Sequence, residues 1–237
     1  MYFIGSGGLL YRAVDYCLNH GLTVDGACCP PGDSAAGRLR HRGVEVLETQ
    51  DPNIDLLPMA GQQSDGIVFS INNGHIIHDA LLKSRGSFFN IHAGMIQQYR
   101  GIAEVCMFAA LTRGDDFYGV TLHRLLPGQK VDAGPVVAQL QFAVDPEDRF
   151  FDLLQKTLEA CQSIFESNVR NIAQNSFRAV VVETAAPSLS YKDVASLRGA
   201  AEPARLAKAS DLGRYAGLLS RLAAAIGAEE LECKSTS

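Results

Sequence analysis

Residues 1–29 read MYFIGSGGLLYRAVDYCLNHGLTVDGACC, and three kinds of pattern follow one another within them. Met1 to Gly5 is an apolar run of strand length, and Gly5-Ser6-Gly7-Gly8 turns the chain. Leu9, Leu10, Ala13, Val14, Cys17 and Leu18 then recur at helical spacing until His20-Gly21, and Leu22 to Cys28 reads as a second strand. Strand, turn, helix and strand in that order make a βαβ unit, so the class is α/β. Backbone N–H groups at the start of the helix could face a phosphate. The spacing falls short of the full G-x-G-x-x-G fingerprint, and a tight strand-to-helix turn needs glycine in any case, so both readings stay open.

Working outward, Val44 to Leu47 and Gly66 to Ser70 read as further strands, Ile76 to Ser84 as a helix, and Ser87 to Ile91 as a strand. Ile102 to Leu111 suits a helix, and Tyr118 to Leu125 and Pro135 to Phe142 suit two more strands. Phe151, Leu154, Leu158, Cys161, Phe165 and Ile172 then lie on one stripe of a long helix, with Asp148 as its N-cap. The pattern changes after Phe177: Val180-Val181-Val182 could add a strand, Pro187 to Tyr191 reads as a loop, and Ser210 to Ile226 as an Ala/Leu-rich helix. The expected organisation is a catalytic domain over residues 1–176 and a short helical appendage over 177–237. The helix after Ser210 reads either as packed on its own core or as the seam of a homodimer through Leu212, Tyr215, Leu218, Leu219, Leu222 and Ile226.

Composition narrows the function. The 237 residues are 47% hydrophobic and 20% charged, with a formal net charge of -5, which is the make-up of a globular protein. No run of Lys or Arg is present to neutralise phosphates, so nucleic acid and anionic membranes are not expected partners. Residues 181–237 hold seven basic and seven acidic side chains, which argues against an RNA-binding module there. No apolar run approaches the ~20 residues of a membrane span, and the first strand begins at Met1, so the expected location is the cytoplasm. The six cysteines, Cys17, Cys28, Cys29, Cys106, Cys161 and Cys233, form no Cys-x-x-Cys pair and are read as reduced.

Candidate chemistry gathers at two places. Asn90 and His92 end an apolar strand and, two apart, point to one side, placing an amide beside a titratable base where α/β sheets bind ligands. Later, Lys130-Val131-Asp132-Ala133-Gly134-Pro135 sets a carboxylate in a turn between strands, where its ordinary use is local hydrogen bonding. Each is unspecific alone.

Together, FNIHAGMIQQYRG (residues 89–101) and YGVTLHRLLPGQKVDAGPVVAQ (residues 118–139) resemble the folate-dependent formyltransferases, the superfamily of glycinamide ribonucleotide transformylase, methionyl-tRNA formyltransferase and the sugar and peptide-synthetase N-formyltransferases. The resemblance covers roughly residues 1–175 and is strongest from 66 to 140. It implies a Rossmann-like fold with a mostly parallel sheet flanked by helices. It also implies that Asn90, His92 and Asp132 form a catalytic trio acting on 10-formyltetrahydrofolate without a metal. Asn90 and a protonated His92 would stabilise the oxyanion formed when an amine attacks the formyl carbon, His92 would relay the proton, and Asp132 would orient the ring and favour its charged form. The same resemblance places the pterin against the backbone of Gly74, His75, Ile76 and Ile77, with Val131 and Asp132 on its other side. For Ile76 and Ile77 the buried face of a helix is an equal alternative, and His75 and His78 are given no chemistry as side chains.

The sequence departs from the family in the turn Ala93-Gly94-Met95-Ile96-Gln97-Gln98, which lacks the usual prolines, and at Glu104, read as facing water or reaching the acceptor amine. The charge-balanced C-terminal part speaks against methionyl-tRNA, and the weak phosphate loop against a purine precursor. The expected acceptor is a primary amine on a small or carrier-bound metabolite, such as an amino sugar nucleotide or an amino-acid derivative. Hydrolysis of the formyl folate, or a folate-binding module without turnover, are the competing readings.

Overall fold

The computed structural model describes residues 1–57, 66–84 and 86–234, with the backbone alone for 228–234. Its strands are β1 (Tyr2–Gly5), β2 (Gly26–Cys29), β3 (Val46–Glu48), β4 (Ile67–Ile71), β5 (Ser87–His92), β6 (Arg100–Gly101), β7 (Phe117–Leu125), β8 (Val136–Ala143) and β9 (Ser188–Leu189). The helices are α1 (Gly7–Asn19), α2 (Ser34–His41), α3 (Pro52–Asp55), α4 (Asp79–Leu82), α5 (Ala103–Arg113), α6 (Phe150–Ala173), α7 (Val194–Ala200), α8 (Pro203–Ser210) and α9 (Ser220–Lys234).

Seven strands form one sheet in the order β3-β2-β1-β4-β5-β7-β8, flanked by helices. The neighbours from β3 to β5 are parallel, while β7 runs antiparallel to β5. The chain builds outward from β1 to β3 and returns to β4 on the other side of β1, so the strand order reverses there and the carboxyl ends of β1 and β4 open a crevice. Gly5 is required at that crossing, because a Cβ on it would lie 1.9 Å from the carbonyl oxygen of Ile71. The α/β class and the mostly parallel sheet expected from the sequence are both found.

The chain divides into two compact units. The first comprises Met1–His92, Thr121–Gln139 and Ala160–Glu183. Alternation along β1 sends Tyr2 and Ile4 to a cluster with Cys28, Leu56, Ile77, Leu81 and Phe88, and Phe3 to the opposite face. There Phe3, Phe69 and Phe165 meet with ring centroids 5.2–6.0 Å apart.

The second unit comprises Ala93–Val120, Leu140–Glu159 and Thr184–Ser237. Its centre is α5, buried from Val105 to Leu111 and joined in one cluster by Tyr99, Tyr118, Phe150, Leu189, Val194, Leu212 and Leu222. Gly101 pairs with Leu189 in a short parallel ladder, and its φ of 99° together with a Cβ position 2.2 Å from the Leu189 carbonyl oxygen admits glycine alone.

Three local expectations are corrected. The single helix Ser210–Ile226 is instead α8, a 3₁₀ turn over Gly213–Tyr215, and α9, because Asp211 and Gly213 interrupt the helical backbone. Leu212 and Leu222 are buried within their own unit, while Leu218 is 82% exposed. The expected strand at Val180 to Val182 is reduced to one antiparallel bridge between Val180 and Val136. Asp148 does not cap the long helix; its carboxylate accepts from the Asp145 N–H at 2.8 Å and pairs with Lys156 at 2.6 Å.

Candidate active site

The site is assembled at the end of β5 from backbone register. Antiparallel pairing of β5 with β7 sets Asn90 directly opposite His123 and His92 opposite Thr121. Directly opposed residues share a face, and Asn90 Nδ2 lies 3.2 Å from His123 Nε2. His123 Nδ1 lies 3.2 Å from the carbonyl oxygen of Arg124. Only an N–H satisfies that carbonyl, so these partners assign the ring proton to Nδ1, and Nε2 accepts from the Asn90 amide. Asn90 retains a second Nδ2–H.

Asp132 joins the group through the loop between β7 and β8. The Arg124 N–H donates to the Pro135 carbonyl oxygen at 2.9 Å, and a Cβ on Gly134 would lie 1.8 Å from the Arg124 carbonyl oxygen. That contact explains the Gly-Pro pair: the loop lies against β7 with no room for a side chain. Asp132 itself adopts φ of 49°, a left-handed conformation that costs roughly 1 kcal/mol outside glycine and that Asp tolerates better than most residues. Its Oδ2 is 3.5 Å from His92 Nδ1 and its Oδ1 is 3.7 Å from His123 Nε2. Both separations are long for hydrogen bonds, and the first is within ion-pair reach of a protonated His92. His92, His123 and Asp132 are all buried, with His123 fully so.

Asn90, His92 and Asp132 are therefore brought together, and His123, to which the sequence reading gives no role, sits among them. Its signal is present in the Gly-Val-Thr-x-His strand, where Thr121 and His123 share a face.

The loop expected to meet the pterin begins one strand away. Ser70 on β4 is the register partner of Asn90, and its hydroxyl lies 3.4 Å from Asn73 Nδ2. Asn73 accepts from the His75 N–H at 3.0 Å and donates to the His75 carbonyl at 2.9 Å. The helix expected from Ile76 is found only from Asp79, leaving residues 74–78 non-helical. Ile77 is buried and Ile76 is exposed, so the two share no buried helix face; Gly74 and His75 are exposed, and Val131 is 40% exposed. Asn73 and His75 also line a small surface depression with Gly5, Cys29, Pro30 and Thr49.

The glycine-rich turn after β1 is engaged from within the chain. Gly7 donates its N–H to both carboxylate oxygens of Asp33, at 2.9 and 3.1 Å, and Ser6 Oγ donates to the Asn72 carbonyl at 2.7 Å. The carboxylate that caps α2 thus stands where a phosphate was one of the two readings. Glu104 has a partner within its own unit that neither sequence reading foresees, for it accepts a hydrogen bond from the Tyr191 hydroxyl. Burial and that carboxylate push the Tyr191 phenol up to about 12.

The end of β5 thus carries the Asn90 amide beside buried His123, with buried His92 and Asp132 close by. Residues 61–169 match the family model described as formyl transferase. Solved structures agree on the fold. An N-formyltransferase from Helicobacter canadensis, solved with folinic acid and dTDP-3-aminofucose, is 16% identical with a TM-score of 0.66, covering 80% of this chain and 72% of that one. A 4-N formyltransferase from Francisella tularensis is 18% identical with a TM-score of 0.64, covering 81% and 78%. Glycinamide ribonucleotide transformylase 1 from Symbiobacterium toebii is 20% identical with a TM-score of 0.65, covering 77% and 93%. Among the described residues, no helix is long and apolar enough to cross a membrane.

Proposed function

We propose that the protein is an N-formyltransferase that moves the formyl group of 10-formyltetrahydrofolate to a primary amine of a small or carrier-bound metabolite, such as an amino sugar nucleotide or an amino-acid derivative. The observation that carries this reading is the meeting of Asn90, His92 and Asp132 at the end of β5, within the stretch that matches the formyl transferase model. The Helicobacter canadensis relative, solved with a folate and an amino sugar nucleotide, supports the donor and acceptor classes.

In this reading the amine lone pair attacks the formyl carbon, a new C–N bond forms, and the carbonyl oxygen takes up negative charge. The free Nδ2–H of Asn90 and an N–H of His92 stabilise that oxyanion. Collapse breaks the bond to N10 of the folate, and the proton lost by the amine passes through His92 to N10, giving the formamide and tetrahydrofolate. Asp132 fixes the His92 ring through Nδ1, and His123 holds the Asn90 amide.

Burial makes these contacts effective, because hydrogen bonds aimed at developing charge are stronger away from water. Gly74, His75, Ile76 and Ile77 would read the pterin through their backbone, with Val131 and Asp132 opposite, and residues 1–176 would form the catalytic domain with 177–237 as an appendage. The Asp33 carboxylate at the β1 turn favours an acceptor that places no phosphate there.

The test is release of tetrahydrofolate from 10-formyltetrahydrofolate with and without amino sugar nucleotides, amino acids and aminoacyl carriers. Amine-dependent release is the expected result. Equal release without any amine would make the enzyme a hydrolase, and binding without release would leave a folate module.

A further inference from the structure

Asn53 lies in α3, far in sequence from β5 and the Asp132 loop, and is buried, at 8% exposure. Its side-chain amide is engaged on three sides. Nδ2 donates to Asp51 Oδ1 at 3.1 Å and to the Ile76 carbonyl oxygen at 3.0 Å, and Oδ1 accepts from the His78 N–H at 2.7 Å. Turning the amide over would set an NH₂ against the His78 N–H and an oxygen against the Ile76 carbonyl, so the partners fix its orientation. Asp51 in turn accepts from the Asn53 N–H at 2.9 Å, which anchors the clamp at both its backbone and its side chain.

The consequence lies in residue 77. One amide that takes the C=O of residue 76 and the N–H of residue 78 pairs with the chain as a neighbouring strand does. In such pairing the groups of the middle residue turn to the opposite edge. Asn73 already takes the N–H and C=O of His75. The two asparagines therefore leave the N–H and C=O of Ile77 as a preset donor and acceptor, the complement of the alternating acceptors and donors on a pterin edge. The Ile77 side chain is buried with Leu81 and Phe88, which fixes the same residue from behind.

We propose that Asn53 is a positioning residue for the formyl donor, holding Ile76 and His78 so that the backbone of Ile77 faces the pterin. This rests on the folate reading given under the proposed function. Pre-ordering of the loop removes an entropy cost from donor binding, so the effect belongs in affinity for the folate rather than in the chemical step.

The probe is folinic acid, a formyl folate that is not a donor in the proposed reaction, titrated by calorimetry into the wild type, Asn53→Ala, Asn53→Asp and His92→Asn. Asn53→Asp is nearly isosteric and keeps an acceptor for His78 while opposing the Ile76 carbonyl. Loss of the clamp should weaken folinic acid binding about tenfold in both Asn53 variants, and raise the KM for the donor with kcat at saturation changed less than threefold. His92→Asn should bind as the wild type does. Amide exchange on the wild type supplies a second readout: the His78 N–H should be protected without ligand, and the Ile77 N–H only with folinic acid.

Folded Asn53 variants that bind within twofold of the wild type, or an Ile77 N–H already protected without ligand, would overturn the proposal while leaving the folate reading intact. Should the variants not fold, the exchange pattern of the wild type decides. A wild type that does not bind folinic acid would refute the folate reading itself and this inference with it.

Discussion

Asp132 holds one carboxylate oxygen 3.5 Å from Nδ1 of His92, and does so from a left-handed backbone conformation. A strained residue whose carboxylate is aimed at a buried histidine is placed by its surroundings rather than by its own preference. Asn is as much at ease as Asp in that conformation, so Asp132→Asn should keep the fold and remove the charge. Turnover is expected to fall by about 10²–10⁴, as is that of His92→Asn, with folinic acid affinity within threefold of the wild type. Steady-state kinetics beside calorimetry checks this, and wild-type kcat in either variant would remove both residues from the mechanism.

His123 lies within hydrogen-bond reach of the Asn90 amide. Replacing it with Leu, of similar volume, removes the acceptor at 3.2 Å and frees the Asn90 amide to rotate. The expected effect is a drop in kcat of about tenfold or more with the donor KM little changed, reflecting one lost orienting hydrogen bond at the oxyanion. A rise in KM alone would place His123 in binding instead.

Gly134→Ala tests the loop that delivers Asp132. Its Cβ would lie 1.8 Å from the Arg124 carbonyl oxygen, so the loop must move away from β7. Destabilisation of about 1–3 kcal/mol is expected, together with loss of turnover, because the displaced loop carries Asp132 from His92. Chemical denaturation and kinetics measure the two effects separately.

Alkali should unfold the protein by way of its thiols. Burial, with neighbouring negative charge, pushes Cys28 up to about 12 and Cys29 up to about 11 from 9.0, and burial pushes Cys17 and Cys161 up to about 12. Above about pH 9 the unfolded chain releases protons that the folded chain retains, so stability is full below that value and falls as pH rises toward 11 and 12. The urea midpoint should decline steadily from pH 8 to 10.5, and folded protein at pH 8 should react slowly with iodoacetamide at these positions. The side chain of Cys233 lies outside the described residues.

The sheet was legible because its signals are local. Apolar runs of strand length separated by the stripe of α1 give the βαβ order, and Asn90-Ile91-His92 at a strand end marks the candidate site. The place of His123 depends on the β5 and β7 register, which sequence spacing does not state. Asn53 was invisible for the same reason, since its partners Ile76 and His78 lie on another segment. The C-terminal region misled by composition: Ala and Leu favour a continuous helix, but burial of Leu212 and Leu222 in the second unit takes precedence over propensity. Tyr99-Arg100-Gly101, quoted above for its resemblance, lies in the second unit, with Tyr99 in that core, Arg100 bound to the Ala186 carbonyl at 3.0 Å and Gly101 against Leu189.

The most direct measurement is a single-turnover reaction with 10-formyltetrahydrofolate carrying ¹³C in its formyl group, in the presence of the amine panel, with products weighed by mass spectrometry. The label is expected to appear as a formamide on one amine class, at a rate lost in His92→Asn. Label found only as formate, or still on the folate after prolonged incubation, would contradict it.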